Sequence, residues 1–366
     1  MQNKQNKTVS IIIPFGLSYE RAYIKERVLQ KASYFQNEKE LELIFVEGFS
    51  SQICPQIKDF IEEKGHRYLK DERQKNAFSQ GACRNLGVKF AKSEVIMVLD
   101  VDYHLSKANL KKFLELIKLK DIKNSPNALI LPPCLFLNQK ANEVLATKSE
   151  ESLDILLQND LISGKNDFVK FFAVAAGAFV MNKAKFLELG GYDESFVGHG
   201  YEDFDLLARI LLHTQQFEKM PKALLYDSRN WDFNEFKGFR ALFSLLGYEC
   251  AFYGLYLYHL WHEEPNQNGY FDNKDKNHKL FFEKLNLYLQ NIPKGEKNFY
   301  PLNSFIYKPY IYELRQGKFL FFPQNLQNKL SHTKFYRLFR KFKSSPKDFL
   351  KDSKNPFLKF VAKMKG

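Results

Sequence analysis

The stretch Val95-Ile96-Met97-Val98-Leu99-Asp100-Val101-Asp102 decides how the rest of this chain is interpreted. Its uninterrupted apolar run, bounded by polar residues, is typical of a buried strand in a parallel sheet. Ligands of open α/β sheets bind outside the carboxyl ends of the strands, where Asp100 and Asp102 would lie. Two such carboxylates repel each other unless a cation lies nearby. The stretch therefore predicts a site for Mn²⁺ or Mg²⁺ with a diphosphate, although a solvated acidic turn would have the same short motif.

The composition indicates a globular protein with an anionic partner. The 366 residues can bury a large core in one or two domains, and 36 Phe and 19 Tyr make the chain rich in aromatic side chains. The net charge of +13 suits a nucleic acid, a phosphate-bearing substrate or an anionic membrane surface, and the charge alone does not choose among them.

Targeting and cross-linking signals are weak. The N-terminal residues 1–7 are polar and lack the apolar core of a signal peptide, and no apolar run reaches the length of a membrane span. The four cysteines are far apart, so neither a disulfide framework nor a zinc site is predicted.

The first 120 residues alternate between predicted strands and helices. Strands are expected at 9–14, 41–46 and 95–99, a short extended piece at 67–69, and helices at 20–35, 57–64, 76–91 and after Ser106. This alternation predicts a Rossmann-like, mostly parallel sheet flanked by helices. The glycine-rich turn of dinucleotide-binding proteins and the phosphate loop of Walker-type proteins are both missing.

The second half of the chain is less regular. We expect a strand over 128–136, an irregular surface excursion over 150–172, and an apolar segment over 171–181. Small residues around Gly177 in that segment would let a ligand or another backbone approach closely. A helix with apolar positions at 206, 207, 210 and 211 is expected to begin near Glu202.

Two further groups of residues carry candidate chemistry. Carboxylates stabilise a helix N-terminus, which would explain Glu202 and Asp203, but Asp203 also suits a general base beside Glu202. His259 and His262 would share one face if their segment is helical, and either could supply a nitrogen ligand to an ion on Asp102. Arg84 and Lys75 are candidates for contact with a diphosphate.

In this order and at this spacing, the motifs resemble nucleotide-sugar glycosyltransferases of the GT-A fold. The second half resembles the C-terminal module of β-1,4-galactosyltransferases, with related patterns in polypeptide N-acetylgalactosaminyltransferases and bacterial chondroitin-type polymerases of family 2. The resemblance covers roughly residues 8–270. It is carried by Ser10-Ile11-Ile12-Ile13-Pro14-Phe15, Arg84-Asn85-x-Gly87, Leu99-Asp100-Val101-Asp102, Ala176-Gly177-Ala178-Phe179-Val180, Gly190-Gly191-Tyr192 and Gly198-His199-Gly200-Tyr201-Glu202-Asp203.

The resemblance implies a set of residues on the donor side of the site. Pro14 and Phe15 would border a uracil pocket, Glu47 would lie near the nucleoside, and Asp100 would contact the ribose or the water shell of the metal. The predicted nucleotide-sugar-binding residues are Pro14, Phe15, Glu47, Arg84, Asp100 and Gly177.

The resemblance also implies the metal ligands and the catalytic residues. Asp102 would bind Mn²⁺ or Mg²⁺ directly, and a histidine would complete the metal site, with the choice between His259 and His262 left open. Asp203 would be the catalytic base and Glu202 an acceptor-binding residue.

The sequence departs from the galactosyltransferase pattern at two positions. Gly16 stands where those enzymes carry an arginine, and His199 stands where they carry a tryptophan. The identities of the donor sugar and the acceptor are therefore not transferred from the resemblance.

The implied reaction is metal-dependent transfer of a hexose or N-acetylhexosamine from a UDP-sugar to a glycan hydroxyl, with inversion. A retaining transferase on the same fold is an alternative, as are a sugar nucleotidyltransferase and a non-catalytic basic protein that binds nucleic acid or a membrane surface. The ordered acidic motifs favour the enzyme, for which no nucleic-acid partner is expected.

The chain is expected to form a catalytic domain followed by a C-terminal region. Residues 1–270 would form the catalytic domain, with a nucleotide-sugar half over 8–125 and an acceptor half over 126–270. Residues 271–366 would form a helical, basic and aromatic region whose run at 334–343 could lie on an anionic membrane. We expect a cytoplasmic enzyme at the inner membrane face, acting on a lipid-linked capsule, lipooligosaccharide or similar acceptor.

Overall fold

The computed structural model describes residues 7–74, 76–175, 177–214, 221, 223–227 and 236–290. All of these residues belong to one compact unit, Met1–Leu302. Within the described ranges, none of the helices has the length and apolar character that a membrane span requires. The predicted membrane-contacting run at 334–343 and the candidate Lys75 lie outside the described residues.

A mixed, mostly parallel sheet of six strands forms the centre of the unit, as predicted. In spatial order the sheet contains β3 (Arg67–Lys70), β2 (Leu41–Glu47), β1 (Val9–Phe15), β4 (Val95–Val98), β9 (Phe179–Asn182) and β6 (Leu129–Ile130). The strands β1, β2, β3 and β4 run parallel, and β9 is antiparallel to both β4 and β6.

Strand β1 is buried along its whole length because it lies between β2 and β4 and is covered on both faces. Successive side chains of a strand point to opposite faces, so Ile11 and Ile13 enter one hydrophobic core and Ile12 enters the other. This two-sided burial explains the continuous apolar runs from which the sheet was predicted.

Helices cover both faces of the sheet. The described part of the chain contains ten α-helices, which are α1 (Tyr23–Tyr34), α2 (Gln56–Glu63), α3 (Gln80–Phe90), α4 (Lys107–Leu119), α5 (Ala141–Thr147), α6 (Glu150–Ser163), α7 (Lys183–Glu188), α8 (Glu202–Thr214), α9 (Ala241–Phe252) and α10 (Lys274–Gln290). Helices α1, α2 and α4 contribute to one core, and α3, α8 and α10 contribute to the other. The side chain of Ser106 caps α4 by accepting a hydrogen bond from the backbone of Asn109, as predicted for that start.

A smaller sheet brings together segments from both halves of the sequence. Its order is β5 (Tyr103–His104), β10 (Leu257–His259), β7 (Cys134–Leu137) and β8 (Val169–Ala173). Strand β10 pairs antiparallel with β5 and parallel with β7. This pairing places residues near 259 beside the segment that follows β4.

Two predictions for the second half are wrong. The single strand expected over 128–136 is divided at Pro132-Pro133 into β6 and β7, which belong to different sheets, because proline cannot continue a ladder of backbone hydrogen bonds. The irregular excursion expected over 150–172 is instead helix α6, capped by Ser149, followed by strand β8. Helix α6 carries apolar side chains on more than one face, so its periodicity is weak in the sequence.

The domain boundary at residue 270 stays a prediction. Helix α10, just beyond it, buries Phe281 and Leu285 in the same core as α8. The hydroxyl of Tyr288 donates a 2.7 Å hydrogen bond to Asp205 of α8. The first turns of the predicted C-terminal region thus pack directly on the helix that carries the candidate base.

Gly87 provides a test of how closely α3 packs on the sheet. A Cβ atom at position 87 would lie 2.5 Å from Ile12 Cγ2 and 3.1 Å from Val46 Cγ2. Gly87→Ala gains about 1 kcal/mol of helix propensity, but we expect overpacking to outweigh it and lower the free energy of unfolding by about 1–2 kcal/mol net. Denaturant-induced unfolding measures this change.

Lys89→Ala, on the exposed side of the same helix, is the control and should leave the unfolding midpoint unchanged or slightly raised. An equal or higher stability of Gly87→Ala would contradict the close approach of α3 to β1.

Candidate active site

A cavity of about 370 Å³ lies at the carboxyl ends of β1 and β4. This is the position at which open α/β sheets bind ligands. Nine of the residues predicted from the sequence line it, namely Pro14, Phe15, Asp100, Asp102, Gly177, Glu202, Asp203, His259 and His262. The structure therefore brings the donor-side, metal-side and base-side predictions into one space.

Asp102, His259 and His262 form a cluster that could hold a metal ion. One potential ligand atom from each residue lies within 4.8 Å of the other two. His262 Nε2 is 3.5 Å from Asp102 Oδ2, and it is buried without a hydrogen-bond partner among the described residues. Both histidines lie near Asp102, and which of them binds the metal stays a prediction.

The helical arrangement considered for His259 and His262 is wrong, because their segment is not helical. His259 is the last residue of β10, and His262 follows it in a loop. His259 pairs with Tyr103 in the sheet, and the backbone N–H of Leu260 donates a 2.9 Å hydrogen bond to the carbonyl of Asp102. Pairing between strands, rather than helical spacing, places the imidazoles beside the carboxylate.

The protonation states of this cluster suit a cation. Burial lowers the pKa of His259 to about 3, so its imidazole is neutral at neutral pH and has a free nitrogen lone pair. Burial raises the pKa of Asp102, while His262 and Arg27 act in the opposite direction. The two imidazoles favour a transition-metal ion over Mg²⁺, and the carboxylate is a ligand that Mn²⁺ also accepts, so the predicted Mn²⁺ is compatible with this set of residues.

Arg84 organises a second cluster beneath the cavity. Its guanidinium has no exposed surface and lies 2.8 Å from Asp100 Oδ1, 2.5 Å from Asp203 Oδ1 and 3.6 Å from Glu202 Oε1. The ring of Tyr192 lies 5.0 Å from the guanidinium carbon. One cation thus joins the acid at the end of β4 to the two acids in the first turn of α8.

The predicted contact between Arg84 and a diphosphate stays a prediction. Arg84 does not line the cavity, and its charge is directed at the carboxylates. Glu47 is also outside the cavity lining. Its carboxylate accepts a 2.7 Å hydrogen bond from the hydroxyl of Tyr68 and lies 3.9 Å from Lys70 Nζ.

Three carboxylates around a single guanidinium carry an excess of negative charge. Burial, followed by the charge of Asp203, raises the pKa of Glu202 to about 8, so Glu202 holds a proton at neutral pH. Burial also raises the pKa of Asp203, but Arg84 opposes this effect through a direct bond. With 26% of its side chain exposed, against 4% for Glu202, Asp203 is the more accessible member of the pair in the cavity wall.

Backbone conformation and a missing side chain place Asp203 in the cavity wall. Gly198, Gly200 and Tyr201 all have positive φ angles, of 77°, 96° and 74°, in the turn that enters α8. Gly177 also has a positive φ of 75°, and a Cβ atom there would lie 2.5 Å from Asp203 Oδ2. Gly177 is therefore required beside Asp203 both for its backbone angle and for its lack of a side chain.

Sequence reasoning missed an aromatic wall with an arginine. The guanidinium of Arg21 donates 3.2 Å and 3.0 Å hydrogen bonds to the carbonyl of Pro265, and it lies 5.4 Å from the ring centres of both Tyr270 and Phe271. Arg21, Phe78, Tyr270 and Phe271 line the cavity. They come from distant segments with no shared motif, so no local pattern could have connected them.

Comparison with known families identifies the chain. Residues 10–287 match the family described as "Glycosyltransferase like family 2". Because the match covers more than half of the chain, the protein belongs to this glycosyltransferase family. The predicted enzyme class and α/β fold of GT-A type are confirmed, and the alternative of a non-catalytic binding protein is not supported. A comparison with curated proteins gives no significant match.

Several solved structures show distant similarity to this chain. S. aureus TarS is 16% identical, with a TM-score of 0.34, over 56% of this chain and 33% of that chain. The shorter TarS 1–349 in complex with UDP is 15% identical, with a TM-score of 0.34, over 56% of this chain and 55% of that chain. The chain thus matches between a third and about half of the length of these TarS structures.

Glucosyl-3-phosphoglycerate synthase from Mycobacterium tuberculosis, in complex with Mn²⁺, UDP and glucosyl-3-phosphoglycerate, is 13% identical. The match has a TM-score of 0.36 and covers 80% of this chain and 83% of that chain.

The proton on Glu202 makes the free energy of unfolding depend on pH. The native state retains a proton that the unfolded chain releases, because the pKa is raised from an ordinary 4.5 to about 8. Stability should therefore fall as pH rises through this window, by at most about 1.4 kcal/mol per pH unit for one proton. Glu202→Gln removes this dependence, so its stability relative to the wild type should rise between about pH 5 and pH 8.

Urea-induced unfolding at several pH values measures the effect, with Glu63→Gln as an exposed control that should parallel the wild type. A constant difference between Glu202→Gln and the wild type across this range would mean that Glu202 is ionised in the native state.

Proposed function

We propose that this glycosyltransferase transfers a hexose or N-acetylhexosamine from a UDP-sugar to a hydroxyl of a glycan, with inversion at the anomeric carbon. The observation that carries the proposal is that the cluster of Asp102, His259 and His262 and the carboxylate of Asp203 line one cavity. The cluster is suited to the diphosphate side of a donor, and Asp203 is suited to the acceptor side. That the nucleotide of the donor carries uracil is proposed from the sequence resemblance.

The donor side is formed by residues at the ends of β1 and β4. Asp102, His259 and His262 would hold a divalent ion, for which Mn²⁺ is proposed, and such an ion neutralises the charge of the departing diphosphate. Pro14 and Phe15 border the same cavity and would position the nucleoside. Arg84 holds Asp100 through one carboxylate oxygen, and the other oxygen would contact the ribose or the water shell of the metal.

On the acceptor side, Asp203 would take the proton of the attacking hydroxyl as the oxygen bonds to the anomeric carbon. A general base has to be ionised and within hydrogen-bond reach, and the bond from Arg84 favours the ionised form of Asp203. Glu202, which retains its proton, can donate a hydrogen bond to an acceptor or to a neighbouring carboxylate. A base opposite the leaving group gives a β-linkage from an α-linked donor.

Inversion is the favoured outcome because a carboxylate is present where a base is needed. A retaining transferase on the same fold remains the alternative, and the configuration of the product, read by NMR, distinguishes the two.

The proposed acceptor and location rest on the charge of the chain. A net charge of +13 is suited to work near an anionic surface, and we propose the cytoplasmic face of the inner membrane of a bacterium. The acceptor there would be a surface glycan such as a capsule or lipooligosaccharide, carried on a lipid.

Donor turnover tests the metal site. With Mn²⁺, one member of a panel of UDP-sugars should release UDP when an acceptor glycan is supplied, and EDTA should abolish the release until Mn²⁺ is restored. Asp102→Asn removes a ligand charge and should reduce release by at least about 100-fold, while thermal unfolding confirms that the variant is folded. UDP release that survives both EDTA and Asp102→Asn would contradict the proposed metal site.

Replacement of Asp203 tests its role as the catalytic base. Asp203→Asn should lower kcat by about 10²- to 10⁴-fold with little change in the Kd for UDP, because the amide keeps the shape of the side chain but cannot accept the proton. Asp59→Asn removes an exposed carboxylate on α2 and serves as the control. A kcat near the wild-type value in Asp203→Asn would rule out this residue as the base.

A further inference from the structure

We infer that one face of helix α1, formed by Tyr23, Arg27 and Lys31, fixes the geometry of the metal cluster. Spacing of four residues places the three side chains on the same side of the helix. Each contacts a different part of the cluster or its supporting backbone. The inference rests on the proposed metal site. Tyr23, Arg27 and Lys31 are positioning residues in it and bind neither donor nor acceptor.

Arg27 connects the two segments that supply the ligands. Its guanidinium donates a 3.1 Å hydrogen bond to Asp102 Oδ1, a 2.8 Å bond to the carbonyl of Trp261 and a 3.5 Å bond to the carbonyl of Leu260. Asp102 follows β4, whereas the two carbonyls lie between the histidines. The planar fork of Arg27 therefore sets the distance between the carboxylate and the imidazole segment.

Tyr23 orients the ring of His262. The two rings stack with their centres 4.6 Å apart, and the Tyr23 hydroxyl lies 2.9 Å from His262 Nδ1. His262 Nδ1 is also 2.8 Å from the carbonyl of Glu263, which can only accept a hydrogen bond. In the neutral imidazole the proton is therefore on Nδ1, which leaves the lone pair of Nε2 directed toward Asp102.

Lys31 holds the backbone next to Asp102. Its side chain is buried, and Nζ donates a 2.5 Å hydrogen bond to the carbonyl of Tyr103. A second cavity of about 200 Å³ lies behind this segment and is lined by Val101, Tyr103, Arg27 and Lys31, among others. The segment thus lies between two cavities, and the hydrogen bond from Lys31 adds to the core packing of Val101 and Tyr103 that restrains it.

An electrostatic role and a positioning role of Arg27 predict opposite effects of Arg27→Gln on the affinity for the divalent ion. A guanidinium near a divalent cation repels it, so a purely electrostatic role would make Arg27→Gln bind the ion more tightly. A positioning role makes binding weaker when the fork is lost. Arg27→Lys separates the effects, because it keeps the charge but cannot make the same set of bonds.

The experiment is a titration of the full chain with Mn²⁺ alone, followed by EPR of the free ion. Arg27→Lys and Arg27→Gln should each weaken Mn²⁺ binding by about 10- to 100-fold, as is typical for residues that orient metal ligands. Lys25→Gln removes one positive charge from the same helix and should bind Mn²⁺ as the wild type does. Thermal unfolding of each variant establishes that the titrated protein is folded.

Two results would overturn the inference but leave the proposed metal site standing. One is an unchanged Mn²⁺ affinity in Arg27→Lys, and the other is tighter Mn²⁺ binding in Arg27→Gln, in each case with Mn²⁺ binding by the wild type. Failure of the wild type to bind Mn²⁺ would overturn the proposed metal site and, with it, the inference.

Discussion

The buried guanidinium of Arg84 is the interaction on which the architecture of the site depends. It has no exposed surface, and it bonds to Asp100 from one half of the sequence and to Asp203 from the other. Loss of one partner from a buried ion pair costs about 3–5 kcal/mol, because an uncompensated charge is left inside the protein. Arg84 can occupy this position because Gly87, one turn later on α3, lets the helix lie directly on β1 and β2. The distance between the donor-side acid and the candidate base is therefore set by the packing of a helix on the central sheet.

A second constraint joins the same halves at the metal cluster. The short strand β10 pairs with β5, immediately after Asp102, and brings His259 and His262 to the carboxylate. The cluster and the base thus have separate supports, one from a small sheet and helix α1, the other from α3 and α8.

Much of the first half could be predicted, because its strands are buried on both faces and its turns carry clear signals. The strand leading to Asp100 and the helix capped by Ser106 are examples. The sequence also indicated which residues share the cavity, through short motifs whose order resembles a known family. Contacts between distant segments could not be predicted. The burial of Arg84 beneath three acids, the pairing that brings both histidines together, and the contacts of Arg27 arise from tertiary packing that no local periodicity records. Helix α6 was missed because its apolar side chains do not form a single face.

Calorimetric titration of the protein with UDP, in the presence and absence of Mn²⁺, tests the central claim most directly. The claim is that Asp102, His259 and His262 form the cation site of a nucleotide-sugar donor cavity. The account predicts saturable binding of UDP that requires Mn²⁺ and is lost when Asp102 is replaced by asparagine. Absence of UDP binding in the presence of Mn²⁺, by a protein that is demonstrably folded, would contradict the account.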